Sequence, residues 1–195
     1  MFLSETAKAK RGHPSPMMFI SLGIGTAVAV ALIVVVSMLT GGSVTSNNGS
    51  SNPALVGKTM KSFTLSGLRS GQVKAPWSSG HASVLIFFAS DCGPCQREMP
   101  KVAKYLRNHD ESPVVVMGVD VLDGRAAAQS FVRRDGVTFP VAFDANGNVT
   151  SGNFQFPGIP ETVFLTKRGV VSQVYFGAIP VDQLAAGISA LKSTN

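Results

Sequence analysis

Cys92 and Cys95 are the only two cysteines of this 195-residue chain, and Gly93-Pro94 separates them. Cysteines at this spacing can form a structural disulfide, contribute half of a metal site, or cycle as a redox pair. A structural disulfide across two residues closes a very short loop, so it would restrict the unfolded chain little compared with a long-range bridge. The spacing therefore favours redox chemistry over a structural disulfide.

A zinc site needs about four ligands, and one cysteine pair supplies two. The remaining candidates are three histidines, none of which stands at ligand spacing from the pair: His13, His81 and His109. We therefore expect no metal site within one chain, and a site shared between two chains stays open.

The sequence around the pair indicates how the two sulfurs would differ. Residues 84–89 (VLIFFA) are typical of a buried strand, and Gly93–Asn108 has apolar residues at helical spacing. Cys92 would then stand at a helix N-terminus, where free N–H groups favour the nucleophilic thiolate. Cys95 follows about one turn later and can resolve a mixed disulfide. Gly93-Pro94 permits the tight turn into the helix.

The other predicted elements form an alternation of strands and helices around this pair. Residues 113–121 indicate a second buried strand, which completes a βαβ unit with a right-handed crossover. Asp123 is expected to cap a helix over Arg125–Arg134. The remaining elements are a leading hairpin (63–65 and 73–75), a later hairpin (162–166 and 170–176) and a closing helix marked by Leu184, Ile188 and Leu191. This order predicts an α/β fold with a mixed central sheet flanked by helices.

An uncharged apolar run precedes this domain at residues 17–39. It is long enough to cross a bilayer as one helix, and it exceeds the usual apolar length of a cleaved signal peptide. Lys8, Lys10 and Arg11 precede the run and no basic residue follows before Lys58, so the positive-inside rule places the N-terminus in the cytoplasm. No cysteine directly follows the run, which argues against a lipoprotein anchor.

The chain is thus predicted to be a single-pass protein of the cell membrane with its main domain outside the cytoplasm. The expected segments are a cytoplasmic N-terminus (1–16), a transmembrane helix (17–39), a flexible linker rich in Gly, Ser and Asn (40–54) and one globular domain (55–195). The net charge of +6 is spread thinly, without the clustered Lys/Arg face of a nucleic-acid-binding protein.

Three stretches resemble the thioredoxin fold, and specifically the membrane-tethered thiol–disulfide oxidoreductases of the TlpA/ResA type. They are VLIFFASDCGPCQREMP (84–100), VTFPVAFDANGNV (137–149) and GIPETVFLTKRGVV (158–171), and the resemblance covers about residues 55–192. A Cys-x-x-Cys alone is a weak signal, and the three stretches in family order make the resemblance specific.

The resemblance implies roles for further residues. Pro160 matches the family's cis-proline, which shapes a substrate groove together with Ile159, Gly93 and Pro94. Glu98 matches an acidic residue that tunes the pKa values of the cysteines in this subfamily. Its position three residues after Cys95 places it on nearly the same helix face, although the spacing alone would equally suit a solvated surface charge.

Two positions depart from the family pattern. Asp91 stands where many relatives carry Trp, and Ile86 stands where thioredoxins carry a buried Asp. Asp91 would oppose thiolate formation at Cys92 if it lay close, or it would cap the helix or be exposed. We expect capping or exposure, with a modulating effect on Cys92.

The resemblance implies a thiol–disulfide oxidoreductase that acts on exported protein dithiols and disulfides. Relatives of this type are generally reductants, kept reduced by a thiol electron donor in the membrane, and one common use is cytochrome c maturation. The redox-active disulfide would be the only redox group, with no separate cofactor. A disulfide-donating oxidase and a non-catalytic thioredoxin-like binding module are the alternatives. A peroxidase is disfavoured because Ala89 stands where the peroxidases of this fold carry Thr.

Overall fold

The computed structural model describes residues 54–155 and 157–194. The expected cytoplasmic segment, the apolar run 17–39 and nearly all of the expected linker lie outside these residues. Within the described part of the chain, no helix is both long and apolar enough to cross a membrane.

A seven-stranded mixed sheet forms the centre of the domain, in the order β2-β1-β5-β4-β3-β6-β7. β3 pairs in parallel with β4 and antiparallel with β6, and every residue of β3 is buried. This agrees with the apolar run that predicted it, since a strand covered on both faces has no polar side. The strands are β1 (Thr64–Gly67), β2 (Gln72–Lys74), β3 (Ser83–Phe88), β4 (Val115–Val121), β5 (Val141–Asp144), β6 (Glu161–Leu165) and β7 (Val171–Phe176).

Three α-helices pack on one face of this sheet, the helical face. They are α1 (Gly93–Asn108), α2 (Arg125–Arg134) and α3 (Val181–Ser193), and all three contribute buried residues to the same core as Val84, Ile86 and Phe88 of β3. The predicted mixed sheet with flanking helices is therefore confirmed, and the structure adds that all three described α-helices lie on one face. The opposite face is covered by the segment after residue 54, a 3₁₀ turn (Pro76–Ser79) and a π turn (Thr150–Phe154), which pack on Leu85 and Phe87.

The structure contains one strand that the sequence analysis omitted. β5 has only four residues and lies between β4, with which it is parallel, and β1, with which it is antiparallel. Pro140 before it and Asn146-Gly147 after it leave too short a run for a periodicity to be visible. Its insertion between β1 and β4 extends the sheet, and places α1 and α2 side by side because both crossovers step in the same direction.

Candidate active site

The cysteine pair lies where the carboxyl end of β3 meets α1. Cys92 and Cys95 form a disulfide with an S–S distance of 2.04 Å. Cys92 is the N-cap residue of α1, and its Sγ accepts the Cys95 N–H at 3.2 Å. Cys92 is partly exposed, whereas Cys95 is 1% exposed. A partner can therefore reach the sulfur of Cys92 but not that of Cys95.

The predicted groove residues frame this pair. The Ile159–Pro160 peptide bond is cis, as the family resemblance implied, and Ile159 and Cys92 both pack against the helical-face core. Gly93 and Pro94 form the first turn of α1, where the missing N–H of proline costs no helical hydrogen bond. Pro94 is exposed and Gly93 is partly exposed, so this turn remains available to a partner.

Glu98 is buried one turn beyond Cys95, which excludes the solvated surface charge that spacing alone allowed. It is 4% exposed, and neither carboxyl oxygen has a partner of normal hydrogen-bond geometry among the described residues. Burial raises the pKa of Glu98 to about 8, and the nearby backbone N–H of Ile179 offsets part of this effect. The residue borders a cavity of about 300 Å³ whose other lining residues are Arg97, Lys101, Ala178, Ile179, Pro180 and Val181.

Asp91 is exposed, and the N-cap position that it was a candidate for belongs to Cys92. Of the two roles expected for Asp91, exposure is therefore confirmed and capping is wrong. The disulfide sulfur of Cys92 occupies the acceptor position that an aspartate would have filled. Asp91 thus lies exposed at the entrance of the cysteine loop.

Asp123 does not cap α2, whose N-cap is Gly124 without any side-chain cap. Oδ1 of Asp123 accepts the Gly124 N–H at 2.6 Å, and Oδ2 of Asp123 accepts the Ser90 N–H at 2.6 Å. The Ser90 carbonyl in turn accepts the Gln96 side-chain amide at 2.7 Å. The cysteine loop, residues 89–92, is therefore held from both sides at Ser90, two residues before Cys92.

Sequence reasoning missed Asp120, the penultimate residue of β4. It is fully buried, and no described N–H or hydroxyl group donates to either oxygen. Burial, followed by the charge and hydrogen bond of Asp123 and the charge of Asp91, raises the pKa of Asp120 to about 8, and Arg125 lowers it in part. The sequence feature that could have identified Asp120 is an acidic residue inside an otherwise apolar strand, since buried acidic residues are rare and often functional.

Glu161, which directly follows the cis-proline, was also missed. It is fully buried without a hydrogen-bond partner in the described residues, and burial raises its pKa to about 7. By alternation with Val163 it points to the face opposite the helices. Its signal was a charged residue at the start of the apolar strand TVFL.

This arrangement can exchange disulfides in two steps. An accessible thiolate at Cys92 attacks a partner disulfide, which forms a mixed disulfide and releases one partner thiolate. Cys95, shielded from other thiols, then attacks the Cys92 sulfur and releases the second. Two electrons leave the cysteine pair, and the Cys95 thiol gives up its proton as the internal disulfide forms.

Known proteins with this arrangement match most of the domain. The AhpC/TSA family profile matches residues 56–174. The thiol-disulfide oxidoreductase ResA of Geobacillus kaustophilus is 26% identical over 70% of this chain and 78% of its own length.

Two solved structures extend the likeness. The structure of MTB dsbF is 31% identical, with a TM-score of 0.59 over 66% of this chain and 94% of its own. A secreted Mycobacterium tuberculosis disulfide oxidoreductase homologous to E. coli DsbE is 26% identical, with a TM-score of 0.59 over 66% of this chain and 96% of its own. The chain therefore belongs to the AhpC/TSA family of thioredoxin-like fold, and within it is a thiol–disulfide oxidoreductase.

Proposed function

We propose that this protein is a membrane-tethered reductase of disulfides in exported proteins, with Cys92 as the attacking and Cys95 as the resolving sulfur. The observation that carries the order of attack is the contrast in exposure between the two sulfurs at the start of α1. The Gly-Pro pair between the cysteines resembles that of reducing thioredoxins, which supports the reducing direction.

Glu98 supplies the proton acceptor for the second step. Cys95 must lose its proton before it can attack, and an acceptor works best when its pKa lies near the working pH. Burial holds the pKa of Glu98 at about 8, three residues along the same helix. The cavity beside it gives the accepted proton a route to solvent past Arg97 and Lys101.

The order of attack is tested by trapping. We expect the reduced full-length chain to reduce insulin disulfides, and Cys95→Ser to accumulate a mixed disulfide through Cys92 that mass spectrometry can locate. Cys92→Ser is the matched control, because it keeps one thiol in the same turn and should trap almost nothing. Equal trapping by both variants would contradict the assigned order.

The direction of electron flow is tested by the reduction potential of the pair in glutathione or dithiothreitol buffers. A reductase requires a potential below that of the disulfides it acts on, near that of thioredoxin at roughly −270 mV. A value near that of DsbA, about −120 mV, would instead make this protein a donor of disulfides.

The tether is proposed from residues 17–39 and their basic flank. We expect the full-length chain to remain in the membrane after alkaline carbonate extraction, and the chain without residues 1–39 to be released. Protease added to intact spheroplasts should remove the thioredoxin-like domain. Protection of that domain until lysis would contradict the proposed orientation.

Apocytochrome c is the proposed substrate class, on the strength of the resemblance to the TlpA/ResA type. Its haem-attachment motif is an exposed Cys-x-x-Cys-His, which must be reduced before haem is attached. The reduced chain should reduce an oxidised peptide with this motif faster than the same peptide with its histidine replaced by alanine. Equal rates would indicate a general reductase.

A thiol electron donor in the membrane would return the pair to its dithiol form.

A further inference from the structure

Asp120 lies beside the cysteine loop but is not part of the exchange chemistry described above. It pairs with Phe88, the last residue of the neighbouring strand β3. The loop that carries Cys92 begins at the next residue after Phe88. By alternation with Val116, its side chain points to the helical face, on which Cys92 and Cys95 also pack. A fully buried carboxyl group without an N–H or hydroxyl donor is costly unless it keeps a proton.

The cation that acts on Asp120, Arg125, makes its hydrogen bonds to other groups. The Arg125 guanidinium donates to the Gly67 carbonyl at 2.9 Å and to the Ser66 hydroxyl at 2.9 Å. It also lies 4.3 Å above the Phe143 ring. Arg125 therefore acts on Asp120 through its charge alone, and does not supply the hydrogen bond that an ionised Asp120 would require.

Among the described residues, the side chain that remains as a hydrogen-bond partner for Asp120 is the carboxyl group of Asp123. A hydrogen bond between two carboxyl groups exists only when one of them is protonated. Asp123 already accepts two backbone N–H bonds, from Ser90 and Gly124, whereas neither oxygen of Asp120 accepts a bond from any described N–H or hydroxyl group. The shared proton therefore belongs to Asp120, which donates it to Asp123.

We propose that Asp120 is a positioning residue for the redox pair: its protonated carboxyl group holds Asp123 in place, and Asp123 holds the Ser90 N–H and thereby the loop that presents Cys92. The charged groups that act on Asp120 are Asp123, Asp91 and Arg125. When Asp120 loses its proton, its fully buried carboxylate faces the partly exposed carboxylate of Asp123. Repulsion then moves Asp123 away from Ser90 and loosens the cysteine loop.

Asp144 shows what a purely structural carboxylate looks like at this end of the sheet. It is 2% exposed at the end of β5, but it accepts bonds from the Thr150 N–H at 2.8 Å, the Thr150 hydroxyl at 2.7 Å and the Val149 N–H at 3.4 Å. These donors all belong to the turn that follows β5. Asp120 has no such donor among residues 54–155 and 157–194, and it is connected to the backbone of the cysteine loop through Asp123.

The test uses the oxidised full-length chain in detergent micelles, because the cysteines do not titrate in the disulfide. The amide shifts of Ser90 and Gly124 are followed by nuclear magnetic resonance from pH 5.5 to 9.5. We expect both to pass through one inflection near pH 8, and we expect Asp120→Asn to abolish it, since the asparagine amide can donate to Asp123 at every pH. Asp182→Asn, which removes an exposed acid in the first turn of α3, should leave the inflection unchanged.

Two further readouts separate loosening of the loop from a distant charge effect. Above pH 8, the Ser90 amide should exchange with solvent several-fold faster in the unsubstituted chain than in Asp120→Asn at the same pH. Insulin reduction by the two reduced chains should be equal at pH 6.5, and several-fold slower in the unsubstituted chain at pH 9. A flat Ser90 shift in the unsubstituted chain, or an inflection that survives in Asp120→Asn, would overturn the proposal.

Discussion

Glu98 and Glu161 are both buried carboxyl groups close to the redox pair, but they lie on opposite faces of the sheet. Glu98 stands one helical turn from Cys95, and Glu161 follows the cis-proline and points to the core of the other face. Burial raises both pKa values, to about 8 and about 7. Only Glu98 shares a helix face with the resolving sulfur. A substitution at Glu98 therefore tests the role of a buried carboxyl group in the resolving step, and the same substitution at Glu161 is its control.

Replacing Glu98 with Gln should slow the resolving step without slowing the first attack. The amide cannot accept the Cys95 proton, so we expect roughly a 10²-fold slower release of the second partner thiolate at pH 7, within the usual range for general base catalysis. Stopped-flow measurement of mixed-disulfide decay gives this rate. Glu161→Gln should change it little, and equal losses in both variants would show that general packing is responsible.

Glu161→Gln should instead raise the stability of the folded domain at neutral and higher pH. The folded pKa of about 7 lies above the ordinary value of 4.5, so the folded state keeps a proton that the unfolded chain has released. Stability is then lost as the pH rises from about 4.5 to about 7, on the order of 2–3 kcal/mol. Urea unfolding at pH 5 and pH 8 should show a smaller difference in the Glu161→Gln variant. An unchanged difference would contradict this assignment.

Residue types at the site were predictable from the sequence only where a short motif identified them. Cys92, Cys95 and Pro160 follow from spacing and family pattern, and Glu98 follows from its match to the family. Asp120 and Glu161 did not, because their importance comes from burial without a partner. That property depends on which strands flank them, and periodicity along one strand does not contain it.

Among the secondary-structure elements, helices were easier to delimit than their caps. α1 and α2 begin and end where the apolar spacing indicated. The predicted caps were wrong because the carboxylate of an aspartate before a helix can accept hydrogen bonds from several different groups. Asp123 accepts the Ser90 N–H of the neighbouring loop instead of capping its helix. A cap is decided by one side-chain rotamer, whereas a helix is decided by many residues together.

Gly187 sets how closely α3 can approach the sheet. A Cβ atom at this position would lie 2.3 Å from the Phe164 ring, which is fully buried in β6. Gly187→Ala should therefore destabilise the domain by about 1–3 kcal/mol or more, the usual range for overpacking, despite the better helix propensity of alanine. Chemical denaturation measures the loss.

The matched control for this substitution is Gly152→Ala. Gly152 is exposed in the π turn, and a Cβ there meets no atom within 4 Å. Its effect on stability should stay within about 0.5 kcal/mol, as for ordinary surface positions. If both variants lost equal stability, the close approach of α3 to Phe164 would not be the cause.

For the molecule as a whole, three buried carboxyl groups make the folded state a proton binder at neutral pH. Glu98, Asp120 and Glu161 all have raised pKa values, so the folded chain binds more protons than the unfolded chain between about pH 4.5 and 8. Stability should consequently fall through this range and level off above it.

We expect the thermal midpoint of the oxidised chain to be higher at pH 5 than at pH 8.5. The triple variant Glu98→Gln, Asp120→Asn, Glu161→Gln should flatten this dependence. Differential scanning calorimetry at constant ionic strength gives both midpoints. A midpoint that rises with pH would mean that other groups, such as the Lys192–Glu111 pair, dominate the linkage.

The whole fold was largely predictable from the sequence, because one βαβ unit and two hairpins leave few arrangements of a mixed sheet. Which face of the sheet each helix packs on was not predictable from the sequence. It depends on β5, since this short strand takes the position between β1 and β4 and turns the chain so that α2 lies beside α1.

Leu122, the residue after β4, has a positive φ of 54° and is 70% exposed. A left-handed backbone costs a branched residue roughly 1–2 kcal/mol, and an exposed leucine recovers little of this from burial. Asparagine or glycine would adopt the same backbone conformation at a lower energetic cost, so either substitution at this position should stabilise the domain. For protein engineering, Leu122→Asn is accordingly a substitution whose added stability can offset the cost of destabilising changes made in the active site.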